Sequence, residues 1–445
     1  DYYDGIDILI DGDNGFKYSF IIDPFINIDQ IRVDYKGQSN LYLDDDGNLH
    51  ISNRFGEIIE SNLIAWTETE LGVKSSVNVQ FKLLGDELTF VFPDGYDTSQ
   101  KLIIDPTLTF STFTGATSDN WGMTATPDAN GNLFGGGISF GIGYPTTVGA
   151  YDASFNGGTS SSTGLPGFDI SITKFTADGS GLIYSTFIGG SSNELPESMI
   201  CNSNNELYIL GVTASSNFPM VGAYDNTFGG GSLEVQNGLT FPASDLFVAR
   251  LSADGSSLLS STFMGGSGND GLNSSILNFN YGDQFRGEVV LDQNENILVT
   301  STTKSLDFPV IQGPQNSLSG AQDAVVFKLN SSLSSLIWSG YFGGSGVESG
   351  NSIQSSINGD IYFVGGTNSS SLSYSSGFDL SFNGGISDGY ITRLNGNTGA
   401  ILSGTFLGLN EYDQSYCVQL DLDDKVYVLG QTESNWQITP GLYGV

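Results

Sequence analysis

The feature that most constrains this chain is a pattern that returns four times in the same order. A strand ending in glycine occurs as Ser185-Thr186-Phe187-Ile188-Gly189 and Ser261-Thr262-Phe263-Met264-Gly265, with an earlier copy at Ser111-Thr112-Phe113-Thr114-Gly115. Looser copies stand at Ser339-Gly340-Tyr341-Phe342-Gly343 and Gly404-Thr405-Phe406-Leu407-Gly408. A polar turn followed by an apolar strand comes after each, as in Asn205-Glu206-Leu207-Tyr208-Ile209 and Asp424-Lys425-Val426-Tyr427-Val428. Before the next copy lies D-x-x-x-x-[KR]-[LF]: Asp169 with Lys174, Asp245 with Arg250, Asp323 with Lys328, Asp388 with Arg393. About four strands per unit in fixed order predict the blades of a β-propeller. A solenoid uses shorter rungs, and helical repeats would carry a 3.6-residue period that is absent here. Units begin near residues 108, 182, 258, 336 and 401, so at least five are visible. Only four third strands are found, and the propeller therefore reads as incomplete at its C-terminal end, in a longer polypeptide.

Residues 1–107 have a different texture. Runs such as Ile31-Arg32-Val33-Asp34-Tyr35 and Val77-Asn78-Val79-Gln80-Phe81 alternate with period two between Asp/Asn/Gly turns. That pattern predicts half-buried antiparallel strands, and a β-sandwich is the simplest package for them. The fold class expected is all-β: a sandwich over 1–107 and propeller repeats over 108–445.

Composition removes several functions. With 14 Lys+Arg against 49 Asp+Glu the formal net charge is −35, which disfavours nucleic acid. One histidine excludes a multi-histidine metal centre, and two cysteines exclude a four-cysteine zinc site. His50 finds no G-x-S-x-G elbow to support a hydrolase triad. No apolar run approaches the length of a membrane-spanning helix, and the first residues carry no signal-peptide pattern.

The repeat text, with Asn217-Phe218-Pro219 and Gly222-Ala223-Tyr224 downstream of a glycine-ended strand, resembles the bacterial repeats named for seven-bladed β-propellers. Residues 4–106 resemble the domain that commonly precedes those repeats. Gly408-Leu409 in place of Gly-Gly, and Tyr374-Ser375 in place of Phe-Pro, depart from the pattern. The resemblance implies a large secreted or surface protein of the Bacteroidota type, exported by type IX secretion and associated with gliding motility. Expected partners are an extracellular or outer-membrane protein, a surface glycan or a secretion translocon. The family offers no catalytic residues to carry over, so a non-enzymatic role is expected, with a glycan-binding or carbohydrate-active propeller as the alternative.

Ca²⁺ is the one cofactor the residues suggest. Asp11 and Asp13 in one turn, and Asp44, Asp46 and Asn48 in another, offer oxygen ligands at alternate positions beside a glycine. Asp421, Asp423 and Asp424 form a third such turn. None completes an EF-hand loop, and Asp, Asn and Gly are also the ordinary residues of hairpin turns. The recurring Asp and Lys/Arg point to opposite faces of their strand and are expected to bond neighbouring backbone and an adjacent blade. Cys201 and Cys417 lie in units two and five, which predicts two buried free thiols. The aromatics Tyr144, Tyr151, Tyr224 and Trp436 could stack on sugars, but their recurrence beside Pro and Gly favours blade packing.

Overall fold

The computed structural model describes residues 3 and 5–436, apart from 12–16, 37, 45–46, 54–55, 61–62, 70, 107–113, 161–163, 178 and 281. The chain folds into two compact units, one of Asp1–Thr112 with Asp421–Asp423 and the other of Phe113–Leu420 with Asp424–Val445.

The first unit is a β-sandwich. A five-stranded sheet and two three-stranded sheets, with neighbouring strands antiparallel, enclose one core. Ile6, Phe20, Ile22, Leu49, Phe81, Leu88, Phe90 and Ile104 fill it. The period-two runs supply this core directly: Phe81 is buried while its neighbours Gln80 and Lys82 are exposed.

The second unit is built of propeller blades. Among the described residues, four antiparallel sheets have four strands each, a fifth blade has two, and a further two-stranded ribbon, Glu234–Gln236 with Leu239–Phe241, lies in a loop of the second blade. Blade 1 comprises Asn120–Pro127, Leu133–Ser139, Asp169–Phe175 and Leu182–Ile188. Blade 2 comprises Glu194–Cys201, Leu207–Thr213, Asp245–Leu251 and Leu258–Met264. Blade 3 comprises Glu288–Leu291, Ile297–Thr303, Asp323–Leu329 and Leu336–Phe342. Blade 4 comprises Glu348–Ser355, Ile361–Thr367, Asp388–Leu394 and Ile401–Leu407. Blade 5 contributes Asp413–Leu420 and Val426–Thr432. The first strand of each blade packs against the first strand of the next, so these strands form the inner wall.

Blades start one strand later than the repeat text. The S-T-F-x-G segment is the fourth, outermost strand of a blade, and the strand after it opens the next. A periodic sequence reports the period without reporting where the chain turns from one sheet to the next. The earliest copy, Ser111–Phe113, lies outside the described residues.

Burial follows position in the blade. All seven residues of Leu207–Thr213, of Ile297–Thr303 and of Asp323–Leu329 are buried, as expected for strands covered on both faces. Blade 5's second strand, Val426–Thr432, is exposed at all seven positions. Aromatic side chains fill the spaces between strands and connecting loops. Phe218 of the Asn-Phe-Pro segment lies 4.3 Å, centroid to centroid, from Phe247. Tyr374, which replaces that Phe in blade 4, is also within the packing and bonds Thr392 Oγ1 at 2.8 Å.

Candidate functional site

The residues that recur in every blade resolve into two frames. In the first, the basic residue of each third strand pairs with an acid in the turn between the first two strands of its own blade. Lys174 meets Asp128 at 2.9 Å and Lys328 meets Asp292 at 2.7 Å. Arg250 meets Glu206 and Arg393 meets Asp360. The two lysines take the first position of the five-residue turn, and the two arginines take the fifth. The same cations also reach the following blade: Lys174 Nζ donates to Ala253 O, Arg250 Nη1 to Ser331 O and Lys328 Nζ to Gly396 O. The expected bond to an adjacent blade is therefore present, together with an ion pair inside the blade.

The turns are linked to one another as well. Ala129 N donates to Asn205 Oδ1, Ser203 N to Glu295 Oε1 and Ile357 N to Asp424 Oδ1. Asn205, Glu295 and Asp424 occupy the fourth turn position with φ near +60°, where blades 1 and 4 use Gly131 and Gly359. An Asp, Asn or Glu held in this left-handed conformation is oriented to accept from the preceding blade.

The second frame lies between blades. Each Asp of D-x-x-x-x-[KR]-[LF] is fully buried and accepts backbone N–H groups from the loop before its strand. Asp245 takes Gly229 N at 2.7 Å and Gly230 N at 3.0 Å; Asp323 takes Ser319 N and Gly320 N; Asp169 takes Asn156 N; Asp388 takes Asn383 N. Facing each is a second buried acid: Glu194, Glu348 and Asp413 open the first strand of the next blade, and Asp270 bridges Thr303 at the end of blade 3's second strand. The glycine closing the S-T-F strand lies against these acids. A Cβ on Gly189 would sit 2.9 Å from both Asp169 Oδ1 and Glu194 Oε2. On Gly265 it would sit 2.7 Å from Asp245 Oδ1 and 2.8 Å from Asp270 Oδ2.

Burial dominates the titration of these groups. It pushes Asp169 and Asp270 up to about 8, Asp245 and Glu194 to about 7 and Asp323 to about 6. The backbone and hydroxyl donors around them oppose that rise. The second acid had a legible signal: it stands five residues after the glycine in all four cases, Gly189 to Glu194, Gly265 to Asp270, Gly343 to Glu348 and Gly408 to Asp413.

The inner wall carries a different kind of residue. The first strands of blades 1, 2, 4 and 5 each hold a β-bulge, which leaves Met123, Glu197, Asn351 and Tyr416 outside the ladder. The equivalent residue in blade 3 is Gly287, immediately before Glu288. Bulges redirect one side chain without breaking the sheet. Met123, Glu197 and Asn351 line a cavity of about 320 Å³ together with Phe285, Arg286 and Gly287. A Cβ at Gly287 would overlap the Glu197 carboxyl, so this acid occupies space that blade 3 leaves empty of side chain.

Glu197, unlike the recurring aspartates, accepts no backbone N–H. Its Oε2 accepts from Ser301 Oγ at 3.4 Å, and its Oε1 is buried with no partner. Burial pushes its carboxyl up to about 8. Asn351 Nδ2 donates to Ser415 O, while its buried Oδ1 has no partner. Arg286 is held by Asp283 at 2.8 Å and lies over the Tyr416 ring at 4.2 Å. The loop bearing Asp283 and Arg286 spans from blade 3 to blade 5: Phe279 stacks on Tyr412, and Asn280 Nδ2 donates to Tyr416 OH.

The remaining sequence candidates are not among the residues that line this cavity. Asp44 Oδ1 accepts from Asn48 N at 2.8 Å and Oδ2 from Asn48 Nδ2 at 2.9 Å, an Asx-type turn, with His50 Nε2 at 3.1 Å from Oδ2. Asp13 and Asp46 lie outside the described residues, as does the side chain of Asp11. Among the described residues no group of three His, Cys, Asp or Glu is placed to hold a metal ion. Both cysteines are free, but Cys417 is exposed and Cys201 half-buried, so the expectation of two buried thiols is corrected. Cys417 directly follows the bulge at Tyr416 and pairs across the two-stranded sheet with exposed Leu429. Tyr144 is buried and bonds Thr173, whereas Trp436 is exposed and donates Nε1–H to Asp413 Oδ1.

Comparison with known proteins adds one family match. A family model described as "Domain of unknown function (DUF7948)" matches residues 1–107. No curated protein matches the chain. Among solved structures it is similar to a thermostable family-43 glycoside hydrolase, at 10% identity and TM-score 0.27, covering 92% of this chain and 96% of that one. It is similar to the NanB sialidase of Streptococcus pneumoniae at 10% identity and TM-score 0.27, covering 88% and 86%. A quinohemoprotein alcohol dehydrogenase from Comamonas testosteroni matches at 10% identity and TM-score 0.28, covering 89% and 71%.

Proposed function

We propose that this chain is a non-enzymatic binding scaffold exposed outside the cell, acting in adhesion, gliding motility or surface assembly after export by type IX secretion. One observation carries the non-enzymatic part. Every acid and base that recurs from blade to blade is engaged in the frame, by ion pairs within blades or by backbone N–H groups between them. Recurring chemistry is thus architectural, and ligand contact falls to residues that differ between blades at the inner wall. The net charge of −35 suits a soluble surface in an ionic medium. The partner is an outer-membrane or extracellular protein, and a secretion translocon would be met in transit.

Protease accessibility on intact cells, with a deletion strain compared for surface adhesion and spreading, tests this reading. Protection of the chain inside intact cells, or a deletion without effect on either behaviour, would overturn it. A glycan-binding role is the second reading. It is favoured by the cavity that sets Glu197 and Asn351 beside Phe285.

A further inference from the structure

We infer that the inner-wall cavity binds a primary ammonium group on a short aliphatic stem, with Glu197 and Asn351 as its acceptors. The inference rests on reading the inner wall as the ligand site and adds the chemical class of the ligand.

Two interior acids of the frame are satisfied by several donors, while Asp169 and Asp388 leave one oxygen without a partner but accept a backbone N–H on the other. Glu348 takes Gly344 N, Thr367 Oγ1 and Ser369 Oγ; Asp270 takes Gly266 N, Thr303 Oγ1 and Ser305 Oγ. Glu197 is half-buried as a residue, but its Oε1 is shut off from water without a partner and its Oε2 has one long hydroxyl contact. A buried carboxyl without donors is costly, and a fold retains one where something else supplies them.

Position supports the same conclusion. The five bulge-equivalent residues are Met123, Glu197, Gly287, Asn351 and Tyr416, so one side chain among them is a carboxylate. Gly287 makes room for that carboxyl, which ties two blades to one local arrangement. Asn351 adds a second unpartnered acceptor from the blade beyond.

The donors needed must come from a ligand rich in N–H and carrying positive charge. A bound cation favours the charged form of Glu197 that burial alone disfavours, and in that form its oxygens and Asn351 Oδ1 offer nothing to an anion. The cation already present, Arg286, is held by Asp283 and lies on Tyr416. Met123 and Phe285 supply apolar wall for methylene groups. A strongly negative chain also raises the local concentration of small cations. A free amine and a lysine side chain share this chemistry.

The test is calorimetric titration of the full chain with n-butylammonium, n-butanol and Nα-acetyl-lysine amide. n-Butylammonium is expected to bind and n-butanol to bind at least about tenfold more weakly, since a charged hydrogen bond is lost. Glu197→Gln should weaken the amine by about tenfold or more at unchanged thermal stability. Asn351→Asp should strengthen it, a gain that misfolding cannot mimic. Tighter binding of the lysine amide than of butylammonium assigns the source to a protein side chain, and the reverse order to a free amine. Equal binding of butanol, or a Glu197→Gln variant that binds as the parent does, overturns the ammonium assignment and leaves the inner wall as a ligand site. No heat with any probe overturns both.

Discussion

Raising the pH should loosen the blades, and the effect can be localised to one junction. Asp270 and Asp245 face each other across Gly265, both buried, with burial pushing them to about 8 and about 7. Both values lie above those of an unfolded chain, so the folded state holds protons that the unfolded state has released. The stabilising contribution is complete below about pH 4 and is lost as pH rises through 7 to 8. Each retained proton changes unfolding free energy by about 1.4 kcal/mol per pH unit between the unfolded and folded values. Asp270→Asn fixes one member in a neutral, isosteric form. Its oxygen can still accept from Gly266 N, and its amide can donate to Thr303 Oγ1. Denaturant unfolding followed by tryptophan fluorescence from pH 5 to 9 is the assay. The parent should lose stability with pH, and the variant should lose about 2 kcal/mol less between pH 6 and 8. A parent that gains stability from pH 6 to 8, or a variant with the parent's slope, would refute the reasoning.

Other outcomes follow from the same frame. Gly265→Ala should destabilise by about 1–3 kcal/mol or more, because its Cβ would lie 2.7–2.8 Å from two carboxylate oxygens. Gly135→Ala, where nothing lies within 4 Å, should be close to neutral in the same thermal melt. Lys174→Ala should cost about 3–5 kcal/mol by leaving Asp128 buried without its partner, and adding Asp128→Asn should recover much of the loss. Maleimide labelling of the native chain should modify Cys417 well before Cys201, whose thiol burial pushes up to about 12.

Strand pattern and repeat order were readable because packing enforces them. Leu246-Phe247-Val248-Ala249 is apolar on both faces because blades cover both faces. The turn partners were harder to read. Lysine takes its acid from the first turn position, at Asp128 and Asp292, and arginine from the fifth, at Glu206 and Asp360, so no single spacing links base to acid. The acids five residues after each glycine were present as a pattern, but their meaning depends on strand order, which sets them opposite Asp169, Asp245, Asp323 and Asp388. Inner-wall residues left no repeated signal. A bulge is a property of pairing, and Met123, Glu197, Gly287, Asn351 and Tyr416 share a location without sharing chemistry.

The central claim is that recurring acids build the frame while the inner wall binds. The most direct measurement compares Asp245→Asn and Glu197→Gln in parallel, each followed by thermal unfolding and by n-butylammonium titration. The account predicts that Asp245→Asn shifts the melting temperature and its pH dependence while amine affinity stays within about twofold of the parent. Glu197→Gln should keep the parent's melting profile and lose the amine by about tenfold or more. A folded Asp245→Asn protein that no longer binds, together with a Glu197→Gln protein that binds normally, would contradict it.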